Sequence, residues 1–202
     1  MKRNRRFVVL TCLLVVALVG CGQIGGLVEV ESTTISVDRN GGMTYYLIGE
    51  FDRDYYSLSE LSAMAMDEVD VFNKGAGEKQ SVVVDKVESL QENESKVLIV
   101  YRFEGYASFN EFNKGDFFYG TVDEAFSRGY ITNALLKSVK DETVKTEEQL
   151  KQEGTKKLIA TSEKVVIYCP ANVTYVSEGA VLNEDGSVDT SAADGTVYIL
   201  MK

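Results

Sequence analysis

The sequence predicts an α+β fold: a mainly antiparallel sheet with one principal helix and a β-rich C-terminal third. Three observations point there. Residues 57–75 combine helical spacing of apolar side chains with a start and a stop signal. Elsewhere the apolar residues fall in short runs, many of them alternating, between turn signals. The 202 residues contain one proline, Pro170, and no low-complexity tract that would read as a linker. At 45% hydrophobic content, the roughly 180 residues from the tether onward can build a full core. Residues 28–202 therefore read as a single domain, and 140–155 is the place where a second subdomain could begin.

Val28 to Asp38 reads as the first strand, with Val30, Ile35 and Val37 among Thr and Ser. Arg39-Asn40-Gly41-Gly42 follows, and Asn-Gly between two β-rich runs is a strong hairpin signal. The return strand is Met43 to Ile48. Ser57-Leu58-Ser59-Glu60 has the spacing of a capping box. Leu58, Leu61, Ala65, Val69 and Phe72 then share one helical face, and Lys74-Gly75 supplies a cation and a left-handed stop. Ser81–Glu88 and Lys96–Phe103 read as paired strands around a polar turn at Glu92-Asn93-Glu94-Ser95. The second is apolar on both faces, as a doubly buried strand should be. Thr121-Val122-Asp123-Glu124 opens a short helix closed by Gly129, and Thr146-Glu147-Glu148-Gln149 opens another closed by Gly154. Strands follow at 157–160, 165–168, 173–176 and 196–201, with a tight turn at Asn183-Glu184-Asp185-Gly186. Phe-Asn-Lys-Gly occurs twice, at 72–75 and 112–115; each copy reads as the end of a helical turn, since Lys and Gly favour helix C-termini, and there is no similarity on either side of the two copies.

The N-terminus carries a different signal. Lys2, Arg3, Arg5 and Arg6 precede an apolar run of 13 residues, Phe7 to Val19, broken only by Thr11. Such a run is too short to cross a hydrocarbon core of about 30 Å as a helix, but it suits the h-region of an export signal. It ends in Leu18-Val19-Gly20-Cys21. This pattern resembles the lipobox of bacterial lipoproteins, and the domain beyond it resembles the small lipoproteins of unassigned function. The resemblance covers residues 1–21. It implies a signal peptide over 1–20, a Cys21 that is diacylated before the signal is cut in front of it, a tether over 21–27, and a location on the cell membrane facing outside the cytoplasm. Gly22, rather than Asp, after the cysteine resembles the class sorted to the outer membrane in hosts that have one.

Removing residues 1–20 takes away four of the 21 basic residues and none of the 31 acidic ones, leaving a net charge of −14. That balance argues against nucleic acid as a partner, because phosphate neutralisation needs clustered Lys and Arg. The expected membrane contact is the lipid alone. Cys12 leaves with the signal and Cys21 is the lipid site, so Cys169 stands alone and stability must come from core formation rather than a disulfide.

No histidine occurs. This excludes Ser-His-Asp and Cys-His nucleophile systems and histidine zinc sites. No phosphate-binding Gly-rich loop appears, and no cofactor or metal is called for. Carboxylate chemistry survives, with Asp52, Asp54, Glu60, Asp67, Asp70, Asp123 and Glu124 as candidates for a glycosidase-like pair. Asn183, Asp185, Ser187 and Asp189 place oxygens on alternate residues around Gly186 as a calcium loop would. The twelfth position is Asp194 rather than Glu, and the predicted flanks are strands rather than helices. The remaining feature is aromatic density: nine of the 20 Tyr and Phe residues lie between Phe103 and Tyr130. Interleaved with Asn110, Asn113, Asp116 and Asp123, they could stack on a sugar or peptide. Tyr106, Tyr119 and Tyr130 are the candidate binding residues, tyrosine being the ring more often found at a surface. The expectation is a non-enzymatic binding or assembly module for a protein, peptide or glycan; the alternative is a carboxylate-dependent hydrolase acting on envelope polysaccharide.

Overall fold

An 11-residue strand buried on both faces sets the layers of the molecule. The computed structural model describes residues 30–77, 79–90 and 93–202. Cys21, the signal-like segment, the tether, Val28 and Glu92 lie outside the described residues.

Strands β1 (Thr34–Val37) and β2 (Met43–Glu50) form the expected hairpin, Val37 facing Met43. The Asp38 carboxylate accepts the N–H groups of Asn40 and Gly42 at 2.7 and 3.0 Å, and Gly41 takes the left-handed φ of +91° that the turn needs. β1 starts later than expected. Thr34 donates its hydroxyl to the Ser32 carbonyl at 2.8 Å, a local bond that competes with strand geometry, so residues 31–32 bend.

Helix α1 (Leu58–Gly75) begins at Ser57, whose hydroxyl accepts the Glu60 N–H at 3.3 Å. Only this half of the expected capping box is made, and the Ser57 hydroxyl also meets Ser59 at 2.9 Å. The predicted stop is corrected by two residues. Lys74 pairs with Asp70 one turn back, Gly75 stays helical, and the left-handed position falls to Gly77 at φ +83°. β3 (Val82–Leu90) and β4 (Asn93–Phe103) pair over their lengths, so Asn93 and Ser95 belong to a strand and not to the turn.

Then come α2 (Tyr106–Asn113), of which the sequence indicates only the closing turn, β5 (Phe117–Thr121) and α3 (Val122–Ser127). At α3 both halves of the box form: Thr121 accepts the Glu124 N–H at 3.2 Å and Glu124 accepts the Thr121 N–H at 2.7 Å. β6 (Leu135–Ser138), β7 (Val144–Thr146), α4 (Glu147–Lys151) and β8 (Lys157–Thr161) follow. The β-rich end comprises β9 (Val166–Tyr168), β10 (Val173–Ser177), β11 (Val181–Leu182), β12 (Val188–Asp189) and β13 (Val197–Met201).

The strands form two antiparallel-dominated sheets, seven-stranded β11-β12-β9-β1-β2-β4-β3 and six-stranded β5-β8-β13-β10-β6-β7. The pair β1–β9 is parallel. The main core contains Ile35, Ile99 and Phe103 of the first sheet and Phe117, Ile159 and Ile199 of the second, with Ala65 and Val69 from α1 and Phe109 from α2. On the other face of the second sheet, Phe118, Leu158 and Leu200 pack against Val122 and Ala125 of α3 and Leu150 of α4. On the outer face of the first sheet, Val30 packs against Leu98 and Val100. β4 thus feeds two cores with alternate residues, which is why both of its faces are apolar. Among the described residues no helix is long and apolar enough to cross a membrane.

Asn73 ties the end of α1 to the start of β3. Its amide donates to the Val82 carbonyl at 2.8 Å and accepts the N–H groups of Ser81 and Val82 at 3.1 and 3.2 Å. Asn73→Ala should cost about 2 kcal/mol in urea unfolding, since it strands backbone groups at the fully buried Val82. Asn73→Asp keeps the acceptor and should cost less.

Candidate functional site

The three candidate tyrosines are divided by the second sheet. Tyr106 and Tyr130 share one side: each ring meets Phe118, at 5.3 and 4.6 Å, and they meet each other at 6.5 Å. Arg128 donates to the Tyr106 hydroxyl at 2.7 Å. Tyr119 is the next residue after Phe118 in β5, so it faces the main core, with Lys157 over its ring at 5.4 Å. Burial, and then the charge of Asp38, raise the Tyr119 hydroxyl above its usual pKa. All three rings are half-buried, and no one surface presents them together. The interleaved amides are used internally. Asn110 donates to the Phe117 carbonyl and accepts its N–H, both at 2.8 Å, and Asn113 donates to the Phe109 carbonyl at 3.2 Å.

The candidate carboxylates fall in two groups, Asp52, Asp54, Glu60, Asp67 and Asp70 along the loop and helix α1, and Asp123 with Glu124 at the start of α3. Asp52 pairs with Arg53, Asp70 pairs with Lys74, Asp67 is exposed on α1, and Asp123 donates its backbone N–H to the Gly154 carbonyl. Glu124 is held below the ordinary carboxylate pKa by the backbone N–H and hydroxyl of Thr121. A glycosidase acid needs the opposite shift. In the Asn183–Asp189 turn, Asp185 accepts the Ser187 N–H and hydroxyl at 2.9 and 2.6 Å and the Tyr168 hydroxyl at 2.7 Å. Those bonds, Ser187's first, depress its pKa. They close a hairpin between β11 and β12, and Asp189 is turned to Ser191 instead. Among the described residues no three His, Cys, Asp or Glu side chains gather as a metal cage. Cys169 is partly exposed as a residue, but its thiol is enclosed, and burial pushes its pKa up to about 12. A thiol so raised is a poor nucleophile.

An apolar cleft of about 460 Å³ opens elsewhere, between the start of α1 and the inner face of the first sheet. Its floor is the half-buried Leu47 of β2 with the buried Val97 and Ile99 of β4. Leu61 and Met64 of α1 form one wall, and the loop carrying Phe51, Tyr55 and Tyr56 forms the other. The loop is shaped locally. Phe51 donates its N–H to the Ser95 carbonyl at 2.6 Å, and the Tyr56 N–H closes a turn onto Arg53 at 2.9 Å. Phe51 and Tyr56 rings lie 5.2 Å apart, and Tyr55 meets Tyr56 edge-on at 5.0 Å. Tyr55 remains 77% exposed and Met64 69%. Glu50, Ser57 and Glu60 line the polar rim.

The sequence reading placed no site here. A usable signal existed: two adjacent tyrosines between Asp52-Arg53-Asp54 and a helix cap, where no core position is predicted. A larger depression of about 650 Å³ at the β1–β2 turn has a mixed polar and apolar lining, with Arg102 paired to Asp85 and Glu104 to Lys79. The apolar cleft is therefore the stronger candidate. No family model, curated protein or solved structure matches the chain.

Proposed function

We propose that the protein is a lipid-anchored, non-enzymatic binding module of the cell envelope, and that it takes a partner's apolar group in the Tyr55–Tyr56 cleft. The cleft carries this reading: exposed aromatic and methionine side chains surround a preformed hollow of about 460 Å³, within the range of ligand sites. The tether supports it. The chain enters through Val30 on the outer face of the first sheet, whereas the cleft floor is on the inner face. The start of the described chain and the binding site are then on opposite faces of one sheet. The partners expected are the membrane, through the lipid on Cys21, and a protein, peptide or glycan, with no nucleic acid.

NMR titration with N-acetylphenylalaninamide as a peptide probe and N-acetylglucosamine as a glycan probe tests this. The amide, the sugar or both should shift resonances of Leu47, Phe51, Tyr56, Leu61 and Met64 and leave those around Phe118 unmoved. Shifts absent from the cleft with both probes would overturn the reading.

A further inference from the structure

The charge around the cleft narrows its occupant. From Glu50 to Asn73 the chain carries seven carboxylates and a single cation, Arg53, which is held by Asp52 at 3.6 Å. Glu50 and Glu60 line the cleft, Asp52 and Asp54 sit in its loop, and Asp67 and Glu68 continue along α1. The nearest basic residue across the ladder is Lys96, opposite Glu50. A phosphate or an anionic surface would be repelled here, and a wholly neutral partner would desolvate carboxylates without compensation. A cation beside the exposed Tyr55 ring would gain from both the ring face and the rim. The hollow is near the small end of the ligand-site range, so it holds one or two side chains and not a folded surface.

We infer that the occupant is a basic peptide segment of a partner protein, with one large apolar side chain in the hollow and flanking Lys or Arg over the carboxylate rim. This rests on the cleft being the binding site, and the test separates the two claims. The full chain, in non-ionic detergent micelles, is titrated into fluorescein-labelled heptapeptides followed by anisotropy. The probes carry a central Phe flanked by Lys and Ser, the same with Glu for Lys, the same with Ser for Lys, and the Lys form with Ala for Phe.

The Lys–Phe peptide should bind tightest. Each replacement, or raising salt from 0.05 to 0.5 M, should weaken it about tenfold. Tyr55→Ser and Met64→Ser should weaken it several-fold without changing the far-UV spectrum or melting temperature, both side chains being exposed. Glu60→Lys should weaken the Lys–Phe peptide and strengthen the Glu form. If the neutral or acidic peptide binds equally well and still depends on Tyr55 and Met64, the charge inference fails and the cleft survives. If no peptide binds, or binding ignores both substitutions, the basic-peptide proposal fails; the small-molecule titration then decides the cleft separately.

Discussion

Phe109→Ala should lower the stability of the folded chain by about 4 kcal/mol, more than any exposed substitution. Phe109 is 1% exposed, and its ring meets Tyr45, Phe103 and Phe117 at 5.5, 5.3 and 5.9 Å, all close to edge-on. These neighbours come from both sheets, so the ring of α2 fills the seam where the sheets meet. Truncation leaves a cavity that a helix clamped through Asn110 to Phe117 cannot collapse into. Against an ordinary stability of about 5–15 kcal/mol the loss is a large fraction, and it should lower the melting temperature by roughly 10–15 °C. Phe109→Leu should cost less than half as much. A calorimetric scan of Phe109→Ala within 2–3 °C of the parent would show that the seam is held elsewhere.

That seam shows where sequence was informative. Local signals were legible: Ser57 and Thr121 as caps, Asn40-Gly41 as a hairpin turn, and the alternation of Val97 to Phe103 that marks β4 as buried on both faces. Each depends on residues within a few positions of one another. The Phe-Asn-Lys-Gly echo marked two helix ends, α1 closing at Gly75 and α2 at Asn113. In space Phe72 and Phe112 meet edge-on at 5.3 Å, while Asn73 clamps β3 and Asn113 only bonds its own helix. The copies share a contact and not a role. The rest of α2 was missed because its aromatic residues serve two cores at once and blur the helical period; Gly105 precedes it without a side-chain cap. The parallel pairing of Ser36 with Tyr168 spans more than 130 residues and has no local signature. The cleft was hidden for the same reason. Its floor, wall and rim come from β2, β4, α1 and a loop, which only folding brings together. Tyr106, Tyr119 and Tyr130 looked adjacent in sequence, but strand alternation sent Tyr119 to the opposite face of its sheet.

The second large effect concerns location. Cys21→Ser should abolish incorporation of labelled palmitate and leave residues 1–20 attached, because the thiol is acylated before the signal is cut, without changing the melting behaviour of the domain. The physical argument is in the numbers. Each buried CH₂ contributes about 0.8 kcal/mol, so two acyl chains hold a protein that one chain would hold only marginally. With a net charge of −14 after cleavage, nothing in the domain's electrostatics would replace the lipid at an anionic surface. The eight residues from Gly22 to Glu29 can span at most about 25–30 Å before Val30 docks on the outer face of the first sheet. The cleft lies on the sheet's other side, with Tyr55 and Met64 exposed. Lengthening the leash with Gly-Ser repeats should therefore leave binding of the Lys–Phe peptide unchanged. If the parent chain takes up no palmitate and retains residues 1–20, the segment is an uncleaved anchor. The lipoprotein reading would then fall, while the cleft, built wholly from residues 47–99, would stand or fall by its own titration.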